Sequence, residues 1–583
     1  MSKDSVAELA AFMTQDEPSQ WVSYMWDTYN NQRREKIEEW KETRDYLFAT
    51  DTSTTTNASL PWKNSTTLPK LCQIRDNLHS NYLQALFPND NWLEWQGYSL
   101  EDSVIQKAKS IEAYMSNKTR ISDFRNTVSQ LLLDYIDYGN AFAYADFESR
   151  MKEFPDGTVV PAYVGPVGGR ISPLDIVFNP LADSFKNTHK IVRSVRTMGE
   201  LKKRSQTHPQ EAFWADAIQR RSEIRNRLSA YSHEDFDKAV GYQADGFGNM
   251  YEYYQSDYME VLEFYGDFYN NETGELMCDQ IITVVDRNMT VRQETMPSWY
   301  EGSPIVHVGW RKRPDNMWAM GPLDNLVGLQ YRLDHLENLK ADAMDLIIHP
   351  PLKIIGEVEE FVWGPGIEIH IDEGGSDVQE LASNMGNIFG AAQEMQMIED
   401  RMELYAGAPR EAMGVRTPGE KTAFEVQELS NAASRIFQEK INHFEVELLE
   451  RLLNKMLESA QRNMDVSDVV RVMDDDIGAE VFQTLTVDDI TANGLLRPIG
   501  ARHFAKKAQD LQNLTQVFNT PVGQMIQPHT SALELTRFID DSLSLKGYEI
   551  FKENVNIQEQ QKTQTAVNMA QEDLAAQQGV PAV

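Results

Sequence analysis

The sequence predicts an α+β fold, mainly α, and three observations carry that expectation. Apolar residues recur every three or four positions toward both ends of the chain, whereas the middle turns to short β-rich runs separated by Gly, Asn and Pro. From Lys421 to Ile477 there is neither Gly nor Pro, which leaves a long helix uninterrupted. A length of 583 residues also allows several cores at about 150 residues per domain.

Composition narrows the functional classes. Lys and Arg number 55 against 89 Asp and Glu, a formal charge of −34, which argues against a protein that coats nucleic acid electrostatically. Any DNA contact is expected to be local or weak. The two cysteines, Cys72 and Cys278, cannot build a disulfide framework or a multi-Cys zinc site, and they suit a reducing compartment such as cytoplasm. Met1 to Gln15 lacks the basic start and apolar run of a signal peptide. No apolar run approaches the roughly 18 to 20 residues of a membrane helix, so a soluble chain with no membrane partner is expected.

The elements follow in order. Ser19 to Leu47 reads as a helix and Thr50 to Thr67 as a loop. Leu68 to Leu86 reads as a helix stopped by Phe87-Pro88. Val104 to Tyr138 reads as one more helix, ended by Gly139, a residue free to take positive φ. The first 140 residues are therefore expected to be mainly α. β-rich runs follow at Gly157–Pro161, Arg170–Phe178 and Val261–Val291, with Asn270–Gly274 as a hairpin loop. Lys186 to Leu228 holds eleven bases against four acids; a solvated helix face is the preferred reading, with a local basic patch as the alternative.

Gly321-Pro322-Leu323-Asp324 opens a helix with Pro at the first position and an acid in the first turn, and Leu323, Leu326, Leu333, Leu336, Leu339 and Leu346 form its apolar face. His349-Pro350-Pro351 closes it. A β excursion over Leu352–Leu381, a helix over Gln393–Tyr405 and a Gly- and Pro-rich loop over Ala406–Glu420 come next. Thr417 and Glu420 have capping-box spacing. From Val426 to Leu457 apolar residues form one broad stripe, and a helix of the 43 residues Lys421–Asn463 would be roughly 65 Å long. Such a helix suits an elongated or oligomeric body, with Leu449 and Leu453 packing in an oligomer interface or core. Val466 to Tyr548 reads as helical with loops, and the tail after Phe551 is rich in Gln.

Catalytic signatures are missing. Gly414 to Thr422 approaches a phosphate-binding loop, but Glu420 precedes Lys421 and puts a carboxylate where phosphate would sit, so the capping reading stands. Asp474-Asp475-Asp476 lacks the alternating spacing of a calcium loop and reads as a solvated run. His233-Glu234 has no second His at helical spacing. No catalytic, metal-binding or cofactor-binding residue is expected.

The chain resembles the portal, or head-to-tail connector, proteins of tailed bacteriophages, most closely those of short-tailed phages. The residues that carry the resemblance are Leu131–Tyr144, Asn325–Pro351 and Thr422-Ala-Phe-Glu-Val426 after a Gly/Arg/Pro loop, in that order within roughly residues 20 to 550. The resemblance implies a ring, usually of twelve chains, around a DNA channel at one capsid vertex, without enzymatic activity. It implies a wing and N-terminal body over 1–316, β-rich at about 157–310, then a first stem helix over 317–348 and a clip over 349–381. A second stem helix over 382–405, a tunnel loop over 406–420, a long helix over 421–465, a crown over 466–550 and a Gln-rich tail over 551–583 complete it. Implied partners are the major capsid protein, terminase during packaging, tail adaptor proteins and the double-stranded DNA passing through. The implied location is the virion, after assembly in the host cytoplasm. A helical scaffold or head–tail adaptor protein is the alternative, and a metal-dependent phage nuclease a more remote one.

Within that frame, charge suggests roles. Between Glu357 and Tyr405 there are twelve acids and one base, Arg401. Glu357, Glu359, Glu360, Asp372, Glu373, Asp377 and Glu380 are expected to give an acidic clip and stem that does not grip phosphates. Arg410 and Arg416 in the tunnel loop are expected to lie closest to DNA and to touch it transiently.

Overall fold

A computed structural model describes residues 17–48, 66–87, 92–98, 102–155, 159–207, 213–228, 256–270, 273–297, 299, 302–348, 352–355, 377–380, 386–406, 439–464, 468–474 and 479–499. The chain divides into Met1–Pro498 and Ile499–Val583, and every element named below belongs to the first unit. The fold is mixed, with about half of its described residues helical and the strands concentrated in the middle.

The expected helix Ser19–Leu47 is two helices, α1 (Glu17–Gln32) and α2 (Arg34–Leu47). The break lies at Arg33, whose buried guanidinium donates to the carbonyls of Pro173, Leu174 and Ile176 at 2.7, 2.5 and 2.7 Å. Helix α3 (Lys70–Leu86) ends as expected, but β1 (Leu93–Gly97) is a strand where none was anticipated. The single helix expected over Val104–Tyr138 is α4 (Asp102–Ile121) and α5 (Phe124–Asp137). Between them Asp123 takes φ +55°, a left-handed conformation that Asp tolerates better than most residues.

Gly139 ends α5 at φ +67°, and a Cβ there would lie 2.3 Å from the Gly321 nitrogen, so only glycine fits. Next to it begins β2 (Asn140–Glu153), followed by β3 (Val159–Ile171), β4 (Ile176–Phe178) and β5 (Lys190–Thr197). Helices α6 (Met198–Thr207) and α7 (Phe213–Leu228) precede β6 (Tyr258–Tyr269), β7 (Leu276–Val285) and β8 (Met289–Thr295). Strands β9 (Ile305–Gly309), β10 (Arg311–Arg313) and β11 (Asn316–Met320) complete the middle. The hairpin loop read from Asn270–Gly274 does join β6 to β7: Gly274 has φ +69° and its N–H donates to the Asn270 carbonyl at 2.9 Å.

The two largest antiparallel sheets among the described residues are β3-β2-β9 and the meander β4-β5-β6-β7-β8. The period of two decides what covers the five-stranded sheet. On β6, Leu262 and Phe264 pack with Val22 and Trp26 of α1, while Met259 and Val261 face Leu201 of α6 and Trp214 of α7. Trp40 of α2 sits in a third cluster with Phe142, Phe178, Ile305 and Trp318. The largest cluster joins α3, α4 and α5 to the helices that follow β11.

The junction of these layers is polar and closed. The buried Asn140 side chain donates to the carbonyls of Tyr138 and Ala319, at 2.9 and 3.0 Å, and its Oδ1 accepts from the Ala319 N–H at 3.0 Å. The same Oδ1 meets His307 Nε2 at 3.1 Å, so that nitrogen donates. Burial, helped by the charge of Lys312, pushes the His307 imidazole down to about 3, and the ring stacks neutral on Phe142 at 4.5 Å.

The basic stretch Lys186–Leu228 is not simply a solvated helix face. Arg221 is buried with Asp286 at 2.9 Å, and Lys190 is buried, with its ammonium donating to the Thr188 carbonyl at 2.7 Å and lying 4.8 Å from the Phe185 ring centroid. Lys202 and Lys203 do face solvent.

Asn140→Ala is expected to lower stability by about 2–4 kcal/mol, because buried donors and acceptors lose their partner; urea denaturation followed by Trp fluorescence measures it. Burial, with the charge of Lys455, pulls Lys190 down to about 7 from an ordinary 10.5. Between those values the unfolded chain holds a proton that the folded chain has released, so this residue makes stability rise with pH. Unfolding free energies at pH 7, 8 and 9 should therefore rise less steeply in Lys190→Met than in the wild type, by up to about 1.4 kcal/mol per pH unit.

Candidate functional site

Beyond β11 the chain enters α8 (Val327–Ile348). The helix begins later than Pro322: residues 321–326 form turns, in which the Asp324 carboxylate accepts the Gly321 N–H at 3.0 Å and pairs with Lys36 at 2.7 Å. Met317–Met320, expected in the first stem helix, belong to β11 because that stretch pairs with β10.

The helix buries an unusual face. Gln330, Asp334, Asn338 and Asp342 recur every fourth residue, one line on a helix, and all are buried. Three of them grip the backbone of residues 66–71, which leads into α3. Asn338 pairs amide to amide with Thr66, accepting its N–H at 2.7 Å and donating to its carbonyl at 3.2 Å. Asp334 accepts the Leu68 N–H at 2.9 Å, and Gln330 donates to the Leu68 carbonyl at 2.7 Å and accepts the Leu71 N–H at 3.2 Å. Burial pushes the Asp334 carboxyl above its ordinary range despite those bonds. Side chains thus supply the partners that a neighbouring strand would give. Of the expected apolar stripe, Leu323, Leu326, Leu333 and Leu336 are buried, whereas Leu339 is exposed.

After α8, β12 (Leu352–Ile355) pairs antiparallel with β13 (Asp377–Glu380), and α9 (Gly386–Ala406) packs back on α8. Met395, Ile398, Met402 and Ala406 of α9 are buried, at the three- and four-residue steps of one face. Lys70 ties this helix to α3 through Glu403 at 2.5 Å and Glu399 at 3.6 Å, and both Lys70 and Glu403 are buried. The α8–α9 pair exposes several large apolar side chains: Phe389 is 75% exposed, Leu404 65% and Ile348 62%, with Tyr331, Met344, Met397 and Tyr405 also open, among exposed charged residues such as Arg332, Glu394 and Arg401.

Of the residues singled out from sequence, Asp377 and Glu380 lie on β13, in register with Ile355 and Leu352. Glu357, Glu359, Glu360, Asp372, Glu373, Arg410 and Arg416 lie outside the described residues, as do Thr417, Glu420, His233, Glu234 and the Gln-rich tail. Leu449 and Leu453 are fully buried among the chain's own residues, in one cluster with Leu131, Leu333 and Met402. The described part of the long helix runs over 439–463, with a π-helical stretch Glu445–Glu450 before α10 (Arg451–Asn463). Its apolar stripe is thus covered within one chain.

The helical reading of Val466–Tyr548 fails where that segment is described. β14 (Asp468–Asp474) pairs with β15 (Ala479–Leu485), and β16 (Gly494–Pro498) pairs with β1 some four hundred residues earlier. Val469, Val470 and Val472 in β14 were the available signal, and a Cβ on Gly494 would come 2.5 Å from the Gln96 carbonyl oxygen. Among the described residues no group of three or more His, Cys, Asp or Glu is placed to hold a metal ion, and no helix is long and apolar enough to cross a membrane. No protein-family model matches the sequence, and no curated protein matches it.

Removing the ammonium of Lys70 leaves Glu403 buried without its nearest cation. Lys70→Met should cost about 3–5 kcal/mol, and Lys70→Met with Glu403→Leu should recover most of it. Chemical denaturation of the three proteins checks this.

Proposed function

We propose that the chain is the protomer of a phage portal: a ring, usually of twelve copies, that forms the DNA channel at one capsid vertex. On this reading it serves packaging, ejection and tail attachment, with the capsid protein, terminase and adaptor proteins as partners, and it resides in the virion. The observation that supports it most is the α8–α9 pair. Gln330, Asp334 and Asn338 are buried against the chain's own backbone, while Tyr331, Met344, Ile348, Phe389 and Leu404 are exposed to solvent. Large apolar side chains left exposed on two adjacent helices are what a neighbouring copy would cover. The order helix, strand pair, helix and then a long buried helix is the order expected of two stem helices flanking a clip. The excess of acids from Glu357 to Tyr405 suits a conduit along which DNA slides.

Mass measurement on the purified full-length protein tests the reading. Twelve chains of 66.7 kDa give about 800 kDa. Phe389→Asp with Leu404→Asp should shift the population to 66.7 kDa while leaving circular dichroism unchanged, since both side chains are exposed. A wild-type chain that stays monomeric at micromolar concentration would remove the ring and favour the adaptor reading.

A further inference from the structure

A cavity of about 460 Å³ opens between four stretches of chain. Its walls are the loop 182–186, strand β9, the turn from β10 into β11 and the helical stretch 447–455. We propose that this cavity binds a small polyphosphorylated anion of nucleotide size.

The charge of the lining carries the assignment. Lys186, Lys312, Arg313, Arg451 and Lys455 converge on the cavity against two carboxylates, Asp183 and Glu447, in a chain whose formal charge is −34. Five cations from three segments meet only because the fold brings them together. Lys455 has no solvent exposure, and its ammonium donates to the Ser303 carbonyl. Glu447 acts as a built-in counterion, 3.0 Å from Arg451 and 4.0 Å from Lys312. Even with both carboxylates counted, the lining keeps a net charge of +3.

Size and surface choose within the anions. The volume falls in the range of about 300–1,000 Å³ typical of small-molecule sites, larger than a single phosphate fills. Phe185, Pro314 and Met317 supply an apolar wall beside the cations, the combination that a phosphate chain attached to a flat apolar group would use. Lys312 and Arg313 form the rim and are reachable from solvent.

Isothermal titration of the full-length protein, in whatever assembly it forms, with sodium pyrophosphate and separately with adenosine diphosphate tests the site. Binding of one molecule per chain, weakening as ionic strength rises, is expected. Lys312→Ser with Arg313→Ser should weaken binding at least about tenfold, while Glu447→Gln should strengthen it severalfold. Unchanged circular dichroism verifies that the variants fold. Absence of binding to the wild type, or equal affinity in the Lys312→Ser and Arg313→Ser protein, would overturn the site. So would a short DNA duplex that binds through Lys312 and Arg313 and is not displaced by pyrophosphate, since the ligand would then be a nucleic-acid backbone. The outcome is independent of ring formation, because stoichiometry is counted per chain.

Discussion

The buried amide of Asn140 holds the point where helix turns into sheet, and the placement of the later elements depends on it. Its three bonds to Tyr138 and Ala319, and its contact with His307, join the end of α5 to β2, β9 and β11. In a low-dielectric interior each of these groups would be costly to leave alone, so the four elements cannot slide independently. Gly139 and Gly321 meet backbone to backbone at the same spot, which leaves no room for adjustment. Since Gly321 leads directly into α8, the helix pair inherits its position from this junction.

Helix α8 shows why burial and polarity must be read separately. The line Gln330, Asp334, Asn338 and Asp342 is buried beside Leu333 and Leu336, whereas apolar Tyr331, Leu339, Met344 and Ile348 are exposed, a departure from a simple apolar-in, polar-out helix. Gln330, Asp334 and Asn338 bond to the backbone of the segment 66–71, which has no strand beside it. The exposed apolar groups have no such account within one chain, and the proposed assembly supplies one.

Charge is partitioned in a similar way. In an acidic chain, several cations are drawn inward: Arg33 closes a loop through three carbonyls, Lys70 and Arg221 pair with Glu403 and Asp286, and the buried Lys190 and Lys455 donate to the carbonyls of Thr188 and Ser303. Arg33 and Lys70 each connect segments far apart in sequence, so their bonds form only once the fold is nearly complete.

Local physics made much of this legible in sequence. Gly139 as a helix stop, the Asn270–Gly274 hairpin and the helix ending at Leu86 follow from φ preferences and proline's missing N–H, which depend on near neighbours alone. The periodic stripe through Leu448, Leu449, Leu452 and Leu453 marked a buried face, because a helix repeats every 3.6 residues wherever it sits. The partner of that face was not legible; the tertiary structure covers it with the chain's own core. The break at Arg33 and the pairing of β1 with β16 were decided by contacts that reach across more than a hundred residues. A polar residue such as Asn338 or Lys455 looks the same in sequence whether water or a distant carbonyl satisfies it. Only the folded chain determines which, because the desolvation that makes the bond necessary exists only after packing.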